Sequence, residues 1–255
     1  MSADVALGRR GAVATIGFDR PAKKNALTAA MYEALAAAVA AAEADREVRA
    51  IVFHGGPEAF TAGNDLNDFL TRTPSDEEAP VYRFLRVVAN AANPLVAAVN
   101  GPAVGIGTSL LLHCDLVYAG EDARFQLPFT RLGLVPEFAS TYLLPFIAGY
   151  QRAAHLLLLG EPFDAARAYE AGFVTRVVPA AQALETAWAA AEKLARLPAR
   201  PVQLTRSLLK SAHREAIERQ LRTEGTQFRA LLGEPAAREA LAAFLEKRKP
   251  DWSKV

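Results

Sequence analysis

The stretch NGPAVGIGTSLLLHCD, residues 100–115, places three glycines between a predicted strand and a predicted helix. The strand is the apolar segment NPLVAAVNG at 93–101, and the glycines are Gly101, Gly105 and Gly107. A glycine-rich turn from strand to helix exposes backbone N–H groups, which bind an anion or a developing oxyanion without a charged side chain. The alternative is that these glycines only allow a tight turn.

A second segment, HGGPEAFTAGNDLNDF at 54–69, repeats this arrangement: it leaves a strand, turns at Gly63 and enters a helix. Two such turns together would supply two backbone donors. Nucleotide-binding fingerprints fit poorly, because Leu110 follows where the dinucleotide motif needs a third glycine, and no lysine follows Gly107 as in a phosphate-binding P-loop. Both nucleotide motifs are rejected.

The surrounding periodicity predicts an α/β protein. GAVATIGFDR at 11–20 and RAIVFHGG at 49–56 are predicted strands, and 28–45 between them is a predicted helix with Thr28 as its N-cap. A further helix is expected at 107–114.

The later part of the chain begins with a predicted strand at 114–126 and is predicted to be mostly helical from about residue 138. The polar, proline-bounded stretch at 71–80 is predicted to be a mobile loop near the ligand site. The segment 215–252 has helical apolar spacing, so its apolar face needs a partner in its own core or another subunit.

Composition excludes several classes of protein. The 255 residues are 51% hydrophobic, and 29 basic against 28 acidic residues give a net charge of +1, so neither nucleic acid nor an anionic membrane is expected as the main partner. The single cysteine, Cys114, excludes an internal disulfide, and the four histidines show no metal-ligand spacing. With no predicted signal peptide or membrane span, we expect a cytoplasmic protein without a metal site.

Four motifs in order make the chain resemble the crotonase (enoyl-CoA hydratase/isomerase) superfamily from about residue 5 to 250. They are RPAKKNALT (20–28), AFTAGNDL (59–66), the long run 98–137 and GEPFDAARAYEAGFVTRVVP (160–179). The resemblance implies a spiral of strand-strand-helix turns at 1–195 and a C-terminal helical oligomerisation segment at 196–255. It also implies an acyl-CoA thioester substrate, no separate cofactor, and a homotrimer or dimer of trimers.

Position by position, the resemblance places the oxyanion donors at the backbone N–H groups of Asn64 and Ile106. Lys23 is assigned either to the CoA phosphates or to a solvated surface. Asp65 is favoured as the cap of the following helix. The remaining positions expected to bind substrate or CoA are Lys24, Ala26, Ala62, Gly63, Asp65, Leu66, Gly105 and Phe129.

The chemistry depends on carboxylates. Where the superfamily's hydratases carry two water-activating acids, this chain has Ser109 and Phe129, so hydration is disfavoured. The family's 3-enoyl-CoA to 2-enoyl-CoA isomerases place a single glutamate on the following helix turn, here Glu137, within apolar sequence that would raise its basicity. The alternative for Glu137 is a first-turn acid after Pro136 that only favours the helix dipole.

The sequence therefore favours a double-bond isomerase with Glu137 as base. Hydratase or other crotonase-type thioester chemistry is one alternative, and a non-catalytic acyl-CoA-binding protein is another. His113 is expected to pack or bond locally, and Cys114 to be an inert buried thiol. By resemblance, Phe228 and Lys210 border the CoA site of the same or a neighbouring subunit, although helix packing explains Phe228 equally well.

Overall fold

A computed structural model describes residues 4–71 and 76–255 of the chain. Within these ranges the strands are Val5–Arg10 (β1), Val13–Phe18 (β2), Ala50–His54 (β3), Leu95–Val99 (β4), Pro102–Val104 (β5), Leu116–Gly120 (β6), Arg124–Gln126 (β7), Phe163–Asp164 (β8) and Arg176–Val178 (β9). The helices are Ala29–Ala44 (α1), Leu66–Thr71 (α2), Pro80–Ala89 (α3), Ile106–Leu111 (α4), Ser140–Ala148 (α5), Tyr150–Leu159 (α6), Ala165–Glu170 (α7), Ala183–Arg196 (α8), Ala199–Ser211 (α9), Arg214–Leu232 (α10) and Pro235–Leu245 (α11).

The strands form two sheets. One has the order β1-β2-β3-β4-β6-β9, antiparallel only between β1 and β2, and the other has the order β5-β7-β8. The chain passes from the large sheet to the small one twice, from β4 to β5 and from β6 to β7, and it returns from β5 to β6 and from β8 to β9, so strand pairs and helices alternate as the predicted spiral requires. Parallel strands need crossover connections, which the helices supply.

The large sheet is covered on both faces. Along β3, Ile51 and Phe53 point into the main core with α1 and α3, whereas Val52 packs with Ala187 and Ala191 of α8. Burial on both faces explains the apolar run at residues 50–53 of β3, as expected for a buried parallel strand.

The local predictions were confirmed where the hydrophobic pattern was strong. Helix α1 begins after Thr28, whose side chain accepts a hydrogen bond from the Met31 N–H. The predicted strand at 114–126 was wrong as one element: a turn at Gly120 divides it into β6 and β7, which belong to different sheets. Strand β1 was missed because most of its residues are exposed, which weakens the hydrophobic signal.

The start of the helix after Glu137 was also predicted wrongly. Helix α5 begins at Ser140, because Phe138 and Ala139 adopt left-handed conformations with φ of 65° and 54°. Glu137 therefore lies in the loop before the helix rather than in its first turn. Of the predicted loop at 71–80, residues 72–75 lie outside the described residues, and α3 begins at Pro80.

Helices α9, α10 and α11 make up most of the C-terminal segment, and the proposed boundary at 195/196 stays a prediction. None of the helices in the described ranges is both long and apolar enough to span a membrane. Arg206 joins α9 to the sheet: its Nε lies 2.7 Å from Asp115 Oδ2, and its Nη1 donates to the Ala91 carbonyl. Asp115 also accepts the Leu95 N–H at the start of β4.

We predict that Arg206→Met lowers the free energy of unfolding by roughly 3 kcal/mol, because the partly buried Asp115 carboxylate loses its charged partner. Urea denaturation measures the loss. The control is Arg83→Met, which removes an exposed ion pair with Glu33 and should cost less than about 1 kcal/mol. Equal losses in the two variants would contradict the role of Arg206.

Candidate active site

The two glycine-rich turns meet in the structure. Thr61 forms a parallel bridge with Ala103, and a Cβ built on Gly63 would lie 2.8 Å from the Val104 carbonyl oxygen. Gly63 has a φ of 85° and Gly105 has a φ of 56° with a ψ of −117°. Glycine is required at both positions to hold the turns in contact.

Two backbone N–H groups at these turns, those of Asn64 and Ile106, have no hydrogen-bond acceptor among the described residues. The bridge between Leu27 and Asn64 uses the N–H groups of Leu27 and Asp65, so the Asn64 N–H takes no part in it. Ile106 is the first residue of α4, where an N–H has no partner within its own helix. Two such backbone N–H donors are the groups that form an oxyanion hole, which is the role that the resemblance implies for Asn64 and Ile106.

Glu137 is a buried carboxylate, only 4% exposed, and its Oε1 atom has no hydrogen-bond partner among the described residues. Burial raises the pKa of Glu137 to about 8, and the negative charge of Glu224 adds to the rise. A carboxylate with a pKa close to neutral pH is well matched to accept and return a proton.

A set of local contacts holds Glu137 in place despite backbone strain. Each non-glycine residue in the left-handed region costs roughly 1–2 kcal/mol, and Phe138 and Ala139 are two in succession. His113 Nε2 donates to the Phe138 carbonyl at 2.8 Å and its ring stacks on the Phe138 ring, while Ser140 Oγ donates to the Glu137 carbonyl at 2.6 Å. Burial lowers the pKa of His113 to about 3, so this histidine stays neutral.

The turns and Glu137 open onto one cavity of about 610 Å³. Its wall includes Glu137 and the apolar side chains of Phe69, Leu134 and Phe228. The sequence-predicted site residues in the cavity wall are Lys23, Lys24, Ala26, Ala62, Gly63, Asn64, Asp65, Leu66, Gly105, Ile106, Phe129 and Glu137. Their individual roles stay predictions.

Two polar side chains of the wall are committed to other contacts. Asp65 Oδ2 pairs with Arg20 at 2.7 Å, and its Oδ1 accepts from the N–H groups of Asn67 and Asp68 at the start of α2. These contacts fit the favoured capping role and keep the pKa of Asp65 below its usual range despite partial burial. The side chain of Asn64 accepts from the Tyr32 hydroxyl at 2.5 Å.

Three other residues considered in the sequence analysis do not line this cavity. Lys210 does not line this cavity, because its Nζ donates to the His113 carbonyl at 3.0 Å. Ser109 is fully buried outside the cavity wall, and burial raises the pKa of the Cys114 thiol to about 12.

Sequence reasoning missed Glu224, a buried acid on α10 close to Glu137. It lies on the apolar stripe of that helix with Leu221 and Phe228, and this break in the pattern could have identified it.

Comparison with known proteins identifies the family. Residues 8–255 match the family described as enoyl-CoA hydratase/isomerase. The chain belongs to this family. Its fold and its membership of the crotonase superfamily agree with the resemblance in the motifs, and the protein is an acyl-CoA enzyme of this family.

Similar proteins carry the names of different reactions. Enoyl-CoA delta isomerase 2 of Rattus norvegicus is 35% identical over 246 residues, which cover 94% of this chain and 62% of that protein. The 2,3-dehydroadipyl-CoA hydratase of Escherichia coli (strain K12) is 34% identical over 253 residues and 98% of both chains. The structure of Pseudomonas aeruginosa OdaA superposes with a TM-score of 0.93 at 43% identity, covering 96% of this chain and 99% of that one.

We predict that Glu137→Gln stabilises the protein in a pH-dependent way. Because the pKa of Glu137 is raised from 4.5 to about 8 on folding, the native state keeps a proton that the unfolded state loses between these pH values. The native protein therefore loses stability as pH rises through this window, and the variant avoids that loss. The gain should be absent below pH 4.5 and reach a few kcal/mol at pH 8.

Urea denaturation over a pH series measures this gain, with Glu161→Gln as the control at an exposed carboxylate. That control should change the free energy of unfolding by less than about 0.5 kcal/mol at every pH. A gain for Glu137→Gln that is the same at all pH values would contradict the buried, proton-retaining carboxylate.

Proposed function

We propose that this protein moves the double bond of a 3-enoyl-CoA thioester to the 2 position, with Glu137 as its single acid–base group. The proposal rests on which carboxylates of the cavity wall already have hydrogen-bond or ion-pair partners. Among the described lining residues these are Asp65 and Glu137, and Asp65 is held by Arg20 and by the start of α2. Glu137 is buried and has an unpartnered oxygen.

The thioester carbonyl would bind between the two glycine-rich turns. Its oxygen accepts hydrogen bonds from the backbone N–H groups of Asn64 and Ile106, so negative charge that develops during enolisation meets donors already in position. Each such donor is typically worth ~2.7–4 kcal/mol of transition-state stabilisation. Because the donors belong to the backbone, the side chains of Asn64 and Ile106 only shape the pocket.

Glu137 then carries one proton across the substrate. Its ionised carboxylate takes a proton from C2, and the electrons of that C–H bond form the C1–C2 double bond of an enolate. The enolate collapses toward C4: the carbonyl reforms, the double bond moves from C3–C4 to C2–C3, and Glu137 returns its proton to C4. Positioned acid–base catalysis of this kind typically contributes about 10²–10⁴-fold in rate.

The apolar surroundings favour isomerisation over hydration. Hydration needs a bound water, and Phe129, Leu134 and Phe228 line the cavity with Glu137. Phe129 occupies one of the two positions at which the resemblance implies a water-activating acid in hydratases, and Ser109 occupies the other. A single carboxylate among apolar side chains is sufficient to move a proton between two carbons. The same site would give an attacking water only one carboxylate to hold and activate it.

Assembly into a trimer or dimer of trimers is also part of the proposal. Leu208 and Leu209 on α9 are 73% and 74% exposed, and Phe244 on α11 is 62% exposed. Large apolar side chains grouped on C-terminal helices are typical of surfaces that another subunit covers.

The test is an absorbance assay of the conjugated enoyl-thioester band with trans-3-hexenoyl-CoA, beside crotonyl-CoA as a substrate for hydration. We expect the first substrate to gain conjugation and Glu137→Gln to lose at least about 10²-fold in kcat, because the amide cannot accept the C2 proton. Binding of CoA, measured by calorimetry, should stay nearly unchanged in this variant.

Glu161→Gln is the matched control and should keep the wild-type rate. Turnover retained in Glu137→Gln would exclude Glu137 as the base. Consumption of crotonyl-CoA alone would assign the protein to the hydratases, and binding of CoA without turnover of either substrate would favour a non-catalytic acyl-CoA-binding protein.

A further inference from the structure

Glu224 is a second buried carboxylate near the candidate base. It lies on α10, is 3% exposed, and its Oε1 accepts hydrogen bonds from both the N–H and the hydroxyl of Thr141, at 2.9 and 2.5 Å. Its Oε2 is buried without a hydrogen-bond partner among the described residues. An ionised carboxylate in such a place is costly, so its presence needs an explanation beyond helix packing.

The contacts of Glu224 lead directly to the segment that carries Glu137. Thr141 is in the first turn of α5, and the preceding Ser140 donates its hydroxyl to the Glu137 carbonyl. Gln220, one turn before Glu224 on α10, donates to the Thr141 hydroxyl at 2.7 Å. Helix α10 thus holds Thr141 in the first turn of α5, four residues after Glu137.

The same helix reaches the substrate cavity. Phe228, one turn after Glu224, lines the cavity together with Glu137 and packs edge-to-face on Phe69 with ring centroids 6.0 Å apart. The face of α10 that carries Glu224 and Phe228 is therefore turned toward the interior, where Phe228 lines the same cavity as Glu137.

The two carboxylates interact electrostatically. Burial raises the pKa of Glu224 to about 7, against the opposing effect of its hydrogen bonds from Thr141. The pKa of Glu137 is about 8, through burial first and the Glu224 charge second. The negative charge of Glu224 opposes ionisation of Glu137, so the two carboxyl groups titrate as a coupled pair.

Among the described residues, Glu224 is the charged group that shifts the pKa of Glu137. Tyr32 from α1 and Tyr82 from α3 both feel the Glu137 charge, and burial raises the pKa of each hydroxyl, that of Tyr82 to about 12. His113 stays neutral at the Phe138 carbonyl. Arg229 on α10 stacks on the Tyr82 ring, 5.1 Å from its centroid.

We propose that Glu224 is a positioning residue for the base: it anchors the first turn of α5, and in its ionised form it places a like charge near Glu137 that makes the Glu137 carboxylate a stronger proton acceptor. This inference rests on the proposed function for its catalytic meaning. Its electrostatic content, a like charge that acts on Glu137, is a property of the folded protein and is measurable without substrate.

The test compares the wild type with Glu224→Gln, whose amide oxygen still accepts from Thr141 but carries no charge. We expect the acid limb of the kcat/KM profile for trans-3-hexenoyl-CoA to move to lower pH, because this limb reports the free enzyme's base. At a pH below the wild-type midpoint, the variant should therefore retain a larger fraction of its maximal rate. Glu218→Gln on the same helix is the matched control and should leave the limb unchanged.

A second measurement uses no substrate. A carbon-detected NMR titration of glutamate carboxyl groups in the wild type should show the Glu137 signal sensing two steps, its own and that of Glu224, because the two carboxyl groups interact. Glu137→Gln and Glu224→Gln assign the two signals, and Glu224→Gln should leave one step at lower pH.

An acid limb and a Glu137 titration that do not move in Glu224→Gln would overturn the inference and leave Glu224 as a helix anchor. If hexenoyl-CoA is not turned over at all, the proposed function fails, and the NMR titration alone decides the inference. A wild-type Glu137 signal with a single step, unaffected by Glu224, would overturn it independently of whether the variant folds.

Discussion

At Gly63 the backbone passes so close to Val104 that a Cβ atom would lie 2.8 Å from its carbonyl oxygen. The bridge from Thr61 to Ala103 extends this approach along β5 of the small sheet. It also brings the turn before α2 against the turn before α4, so that Asn64 and Ile106 line one cavity. The position of the candidate site therefore follows from the contact between these two turns.

The second constraint is the free-energy cost of burying an acid in the wall of this cavity. Glu137 is buried, its segment contains two successive left-handed residues, and the like charge of Glu224 disfavours its ionisation further. Each of these terms reduces stability, and under the proposed mechanism each has a use in catalysis, since strain and burial would fix a carboxylate of high basicity. The contacts from His113 and Ser140 hold the strained segment in place.

The sequence allowed part of this account to be predicted. Thr28 and the apolar spacing after it placed α1, and the glycine pattern indicated two strand-to-helix turns, because these are local signals. The motif resemblance placed Asn64, Ile106 and Glu137, which the structure brings to one cavity. Composition and periodicity alone would have left Glu137 as a possible first-turn acid, an interpretation that the start of α5 at Ser140 excludes.

What escaped prediction depends on contacts between distant parts of the chain. The turn after Gly120 separates β6 from β7 because each pairs with a different sheet, and no local pattern contains that choice. Lys210 turned toward the His113 carbonyl rather than the cavity for the same reason. Glu224 is the instructive exception, because an acid on the apolar stripe of α10 marks a buried charge in the sequence itself.

The central claim is that one secluded carboxylate moves a proton between two carbons of the substrate. The most direct measurement is a single-turnover reaction in ordinary water with trans-3-hexenoyl-CoA deuterated at both C2 positions, followed by mass and NMR analysis of the product. A single buried base that holds the deuteron predicts 2-hexenoyl-CoA with a measurable part of the label at C4. Product with only solvent hydrogen at C4, or 3-hydroxyhexanoyl-CoA in its place, would contradict the account.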